Sequence, residues 1–140
     1  MSSSEFTLDR RLAGDTAVVG DWTLSRVLLM NDQRFPWLVL VPRRTNAVEP
    51  FDLQPAEQEL LWREVMTASR LLKAETACTK INVGALGNIV SQLHVHIVAR
   101  RAGDAAWPGP VWGSGHAERF DDEALRAQVA RFKLLLRVPD

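Results

Sequence analysis

The chain has 140 residues, 46% of them hydrophobic and 24% charged, which allows one core and is too short for two domains of ordinary size. Seventeen Lys and Arg balance seventeen Asp and Glu, so no net positive field favours long nucleic acids, and no apolar run has the length that spans a bilayer. A single cysteine, Cys78, excludes an internal disulfide and, with no basic residue adjacent in sequence, reads as a packed thiol.

Residues 1–6 have neither the charged start nor the apolar run of a signal peptide; they are expected to be disordered, and the chain to stay in the cytoplasm. Three β-like segments follow at 16–20, 22–30 and 36–43, rich in Val, Leu, Thr and Trp and separated by Gly20-Asp21 and Asn31-Asp32 turn signals. They predict an antiparallel meander. Pro55 suits a first helical turn, and Leu61, Val65, Ala68 and Leu72 recur at helical spacing, so 55–75 is an amphipathic helix with one buried stripe. Residues 79–84 read as a strand, 85–89 as a glycine-containing loop and 90–98 as the last strand, the two strands forming a hairpin. Residues 105–115, rich in Gly, Pro and Trp, are loop. Asp121-Asp122-Glu123 opens a closing helix faced by Leu125, Val129, Phe132 and Leu136. No repeat or linker divides the chain, which is expected to be one α+β domain over 1–140, with 105–140 a loop plus the C-terminal helix.

Within Gln92-Leu93-His94-Val95-His96-Ile97-Val98, side chains alternate across the strand. Leu93, Val95 and Ile97 point to the helix-packed core, and Gln92, His94 and His96 form a row on the opposite surface. Two of the three histidines of the chain thus stand side by side. A bare His-x-His also fits a half-exposed strand with polar residues on its wet face. With the distant His116 it offers three possible zinc ligands, although no Asp, Glu or Cys lies at short ligand spacing around the pair.

The pattern resembles the signature of the histidine-triad superfamily, His-φ-His-φ-His-φ-φ, written here as Gln92-φ-His94-φ-His96-φ-φ. The flanks agree: Ala99-Arg100-Arg101-Ala102-Gly103-Asp104 looks like the turn after the motif, Gly84 and Gly87-Asn88 sit where the family has its glycine loop, and Leu29-Met30-Asn31 where it has its ribose-contacting strand end. Leu38-Val39-Leu40-Val41-Pro42 matches the next strand, and Asp52-Leu53-Gln54-Pro55 the helix start, so the resemblance runs over about residues 24–104. It implies a five-stranded antiparallel sheet carrying one long helix and a C-terminal helix.

It also implies chemistry. His94 becomes the nucleophile toward the α-phosphate of a nucleotide, one ring nitrogen attacking while the other donates to a backbone carbonyl, and His96 a donor to the phosphate oxygens. Backbone N–H groups of Gly87 and Asn88 would cradle those oxygens, Asn31 would meet the ribose hydroxyls, apolar residues near 28–30 would line the base pocket, and Asn82 is a candidate phosphate contact. For these residues plain turn or strand roles also fit the sequence.

Three departures stand out, one of them Ile89, which stands where the family often has a Ser or Thr hydroxyl near the leaving group. Gln92 replaces the first histidine, and an amide cannot carry a proton between steps. Arg34-Phe35-Pro36-Trp37 stands in place of the family's Pro-Gly-His turn. The implied activity is hydrolysis or nucleotidyl transfer on dinucleoside polyphosphates or nucleoside phosphoramidates through a covalent nucleotidyl-His94, with no cofactor or metal; the alternatives are a nucleotide-binding module with little turnover and a His-ligated zinc enzyme. A small-molecule nucleotide is the expected partner, with no long nucleic acid and no membrane. The resemblance also implies a homodimer, for which Trp62 and Trp107-Pro108-Gly109 are candidate contacts.

Overall fold

The computed structural model describes residues 6–139. The elements in chain order are α1 (Arg10–Asp15), β1 (Thr16–Asp21), β2 (Ser25–Met30), β3 (Trp37–Pro42), a 3-10 turn (Pro50–Asp52), α2 (Pro55–Thr76), β4 (Lys80–Gly84), β5 (Val95–Arg100) and α3 (Asp122–Leu135). The five strands form one sheet in the order β1-β2-β3-β5-β4, antiparallel throughout. The meander and the β4/β5 pairing thus follow the sequence reading.

Helix α2 starts at Pro55, with Glu57 Oε1 accepting the backbone N–H of Gln54 at 3.0 Å, and ends where Ala77 takes a left-handed conformation (φ 52°). Its stripe Leu61, Val65, Ala68 and Leu72 is buried against Val27, Leu29, Leu38, Leu40, Val95 and Ile97, and Phe132 of α3 joins the same cluster. Both long helices therefore cover one sheet face. Gly20 lies where an added Cβ would stand 2.1 Å from Val138, so the end of the chain seats against β1 only because that position lacks a side chain.

The opposite face is also dry. Leu28, Trp37, Val39, Val41 and Val98 bury themselves there under Leu12 of α1 and Val111 of the Trp-rich loop, with Phe6, Leu8 and Trp112 partly buried around them. Of the segment expected to be disordered, residues 1–5 lie outside the described residues, while Phe6 packs beneath the Arg26 guanidinium, 5.5 Å from its ring centroid.

Two strand boundaries need correction. The second strand, expected from residue 22, begins at Ser25, because residues 22–24 turn back, Trp22 N–H donating to Ser25 O at 2.9 Å. The N–H groups of Leu24 and Ser25 are each bound at 3.0 Å by the buried Glu64 carboxylate of α2. The last strand, expected from residue 90, begins at Val95; before it the backbone N–H of Leu93 is already committed to Ala47 O at 2.9 Å. Among the described residues no helix is long and apolar enough to cross a membrane.

Glu64, buried on α2, brings charge into this layer as an acceptor for two buried donors. Glu64→Ala strips both at once and is expected to destabilise the fold by roughly 2–4 kcal/mol, with Glu64→Gln milder because it keeps one acceptor. Urea unfolding followed by far-UV circular dichroism measures both.

Candidate active site

His96 projects from β5 and His94 from the residue just before it, both onto the face away from α2, but they are not on an open surface. Each is 6% exposed. The cover is the Trp-rich loop: Trp112 stands edge-on to His96 with ring centroids 5.4 Å apart. Gly84, cross-strand partner of His96, makes the space, since a Cβ there would meet Trp112 Cη2 at 3.0 Å. The indole N–H of Trp112 is buried without a hydrogen-bond partner among the described residues.

The two imidazoles lie 4.9 Å apart, centroid to centroid, at 72°. His94 Nδ1 is 2.7 Å from the backbone carbonyl of Gln92. A carbonyl only accepts, so Nδ1 carries a proton and donates, and in the neutral ring the lone pair is then on Nε2. His96 Nδ1 is 3.0 Å from the indole Nε1 of Trp37 on β3. Burial pushes the His96 pKa down to about 3, with a smaller contribution in the same direction from His94 when that ring is protonated, so the His96 ring is neutral at ordinary pH.

The pair lines a cleft of about 550 Å³ together with Asn31, Gly87 and Asn88, and with Met30, Leu86, Ile89 and Trp112. That volume suits a small-molecule ligand. Gly87 has φ 73° and shapes the turn after β4. The Asn31 side chain accepts the backbone N–H of Phe120 at 2.9 Å, and Leu28 is fully buried beneath the cleft, so Met30 alone of residues 28–30 supplies its apolar wall with Asn31 beside it.

Two expected site residues stand elsewhere. The Gln92 carboxamide is used at both ends, Oε1 accepting from Asp9 N–H at 2.8 Å and Nε2 donating to Thr7 O at 2.9 Å. It ties the N-terminal segment down beside the strand and does not line the cleft. Asn82 is also absent from the lining; its Oδ1 accepts from Arg100 Nη1 at 2.9 Å. Conversely, sequence reasoning missed Trp37, Trp112 and α1, whose Arg11 and Leu12 form part of the cleft wall. Among the described residues no group of three or more His, Cys, Asp or Glu stands together so as to hold a metal ion, and His116 is exposed.

A match to the family model described as "HIT domain" spans residues 11–103. The chain belongs to the histidine-triad family. Solved histidine-triad proteins similar to it come from Sinorhizobium meliloti 1021 (49% identity, 95% of this chain and 98% of that one covered, TM-score 0.91), Bradyrhizobium japonicum (49%, 94% and 96%, TM-score 0.86) and Marinobacter aquaeolei VT8 (41%, 94% and 96%, TM-score 0.91). No curated protein matches. Membership of the family supports a nucleotide-binding or hydrolase type of function in general.

In this histidine-triad protein the cover over the histidines is anchored by a buried charge. Arg100, 1% exposed, gives Asp104 two hydrogen bonds of 2.8 Å and holds its guanidinium 5.5 Å from the Phe35 centroid and 5.7 Å from that of Trp107. Arg100 holds the Asp104 carboxyl down at about 2, against an ordinary 3.8. A depressed folded-state pKa gives stability that is present above the unfolded value and lost as pH falls through the folded one. Unfolding free energy is therefore expected to decline between about pH 4 and pH 2; Asp104→Asn flattens that part of the curve while lowering stability at pH 7. Denaturant titrations across that range, followed by near-UV circular dichroism of the Trp-rich loop, check it.

Proposed function

We propose that this chain is a nucleotide hydrolase or nucleotidyl transferase that works through a covalent nucleotidyl-His94. The observation that carries the reading is the bond from His94 Nδ1 to the Gln92 carbonyl at 2.7 Å, which puts the proton of the neutral ring on Nδ1 and leaves the lone pair on Nε2 in a ring lining the cleft. Nε2 forms a bond to the α-phosphorus while the bond from phosphorus to the leaving group breaks, its electron pair departing with the leaving atom. Water then attacks phosphorus, the P–N bond returns its pair to Nε2, and the proton of the attacking water passes to solvent. His96 and the N–H groups of Gly87 and Asn88 face the phosphate oxygens, Met30 the base, and Asn31 the ribose.

The state of Gln92 favours dinucleoside polyphosphates over nucleoside phosphoramidates. With both carboxamide atoms held by the backbone of Thr7 and Asp9, no proton reaches a leaving group from this position. A phosphate departs as an anion without one; an amine does not.

With a fluorogenic nucleotide ester, His94→Ala is expected to abolish turnover and adduct formation while leaving the fold intact. His96→Ala lowers the rate by roughly 10²- to 10³-fold, the usual effect of losing one transition-state donor. Rapid-quench mass spectrometry reads the adduct, which is acid-labile and maps to His94. An adduct on another residue, or activity that a chelator removes, refutes the mechanism, and tight nucleotide binding with no turnover identifies a binding module instead.

We further propose a homodimer. Strand β4 is a sheet edge, and Trp62 on α2 and Trp107 in the loop are 60% and 38% exposed, an amount of apolar surface that a second copy covers. Light scattering at micromolar concentration is expected to give twice the chain mass; a monomer refutes the proposal.

A further inference from the structure

His94 and His96 are neighbours on one strand face, yet the groups that meet their Nδ1 atoms have opposite character. His94 Nδ1 meets a carbonyl at 2.7 Å and His96 Nδ1 meets an indole N–H at 3.0 Å. An indole nitrogen donates and never accepts. His96 Nδ1 must therefore present a lone pair to Trp37, and a neutral ring then carries its proton on Nε2. We propose that Trp37 is a positioning residue that holds His96 in the Nε2–H tautomer, so that adjacent imidazoles work as a base at His94 and a fixed hydrogen-bond donor at His96.

The geometry leaves the donor little freedom. Trp37 is 7% exposed and is packed edge-on by Phe35 at 6.3 Å between centroids. Its strand, β3, is buried at every position, and Val39 sits directly across from His96, which sets Trp37 one step along the same face. Trp112 closes the other side of the imidazole at 5.4 Å. A flipped His96 ring would place carbon opposite the indole N–H and leave a buried donor unpaired. Protonating Nδ1 would set two donors against each other. Burial acts in the same sense, holding the ring neutral down to about pH 3.

The consequence belongs to the phosphate-facing side. With Nε2–H fixed before substrate arrives, the ring offers a preorganised donor to an oxygen that gains charge during attack; the other tautomer would turn a lone pair toward that oxygen. This part rests on the proposed nucleotide chemistry. The tautomer itself does not.

Nitrogen-15 NMR of the free protein therefore tests the lock separately from activity. In the wild type His96 is expected to show an unprotonated Nδ1, a protonated Nε2 and a scalar coupling across the bond from Trp37 Nε1–H to Nδ1. A protonated or averaged Nδ1, or no coupling, overturns the proposal even if Trp37 variants fail to fold. Trp37→Phe keeps aromatic bulk and removes the donor, and the His96 shifts are expected to move toward a tautomer average; an unchanged single tautomer overturns the role of Trp37. With a nucleotide ester the same variant is expected to lose roughly tenfold in kcat, the size of one hydrogen bond, with KM changed by less than about threefold. A changed tautomer with wild-type kcat overturns the positioning role. Absence of any turnover in the wild type removes the nucleotide reading and leaves the NMR result to decide the tautomer.

Discussion

Burial of β3 and β5 on both faces is the constraint from which the rest of the architecture follows. Every residue of these two strands is buried, so a helical layer on one side cannot be sufficient. The α2 and α3 layer satisfies Leu38, Leu40, Val95 and Ile97, but Trp37, Val39, Val41 and Val98 on the reverse face need a second cover. The chain supplies it from segments with little regular structure, the N-terminal arm with α1 and the loop that carries Val111 and Trp112. Because the histidines share that reverse face, the cover also sets their environment: a dry wall of indoles in which the His96 imidazole stays neutral.

The cover is held by polar bonds, some local and some between segments distant in sequence. The Gln92 carboxamide binds Thr7 and Asp9, Arg100 binds Asp104 and Asn82, and the buried Asp32 accepts from Arg34 and from the backbone of Glu118. Each anchor lies on or beside a strand end and reaches a segment that could not bury itself. The first polar position of the strand motif, Gln92, is used here to fasten the wall.

What could be read from sequence was what local periodicity encodes. The stripe Leu61, Val65, Ala68 and Leu72 repeats at helical spacing and is buried as expected, and the alternation through Leu93–Val98 put His94 and His96 on one face. The six-residue α1 was invisible because one residue, Leu12, carries its burial, and its start depends on the Asp9 cap, which Gln92 in turn holds. Trp37 could not be matched to His96 from spacing, because the match depends on β3/β5 register. The Trp-rich loop read correctly as loop, but periodicity has nothing to say about which face a loop covers. Gln92 and Asn82 are read from sequence by strand alternation alone; Gln92 lies before the strand begins, and hydrogen bonds to distant backbone and to Arg100 decide what the two side chains touch.

The absent side chain at Gly20 also orders events in time. Val138 sits in the space that a Cβ there would fill, the indole of Trp22 donates to Leu136 O at 3.2 Å, and Val19 shares a cluster with Phe132, Leu136 and Val138. The first strand of the sheet is thus finished by the last described turn of the chain. During synthesis, β1 and β2 emerge early but keep part of their apolar face open to water until α3 has left the ribosome, so the nascent sheet depends on whatever shields that face meanwhile.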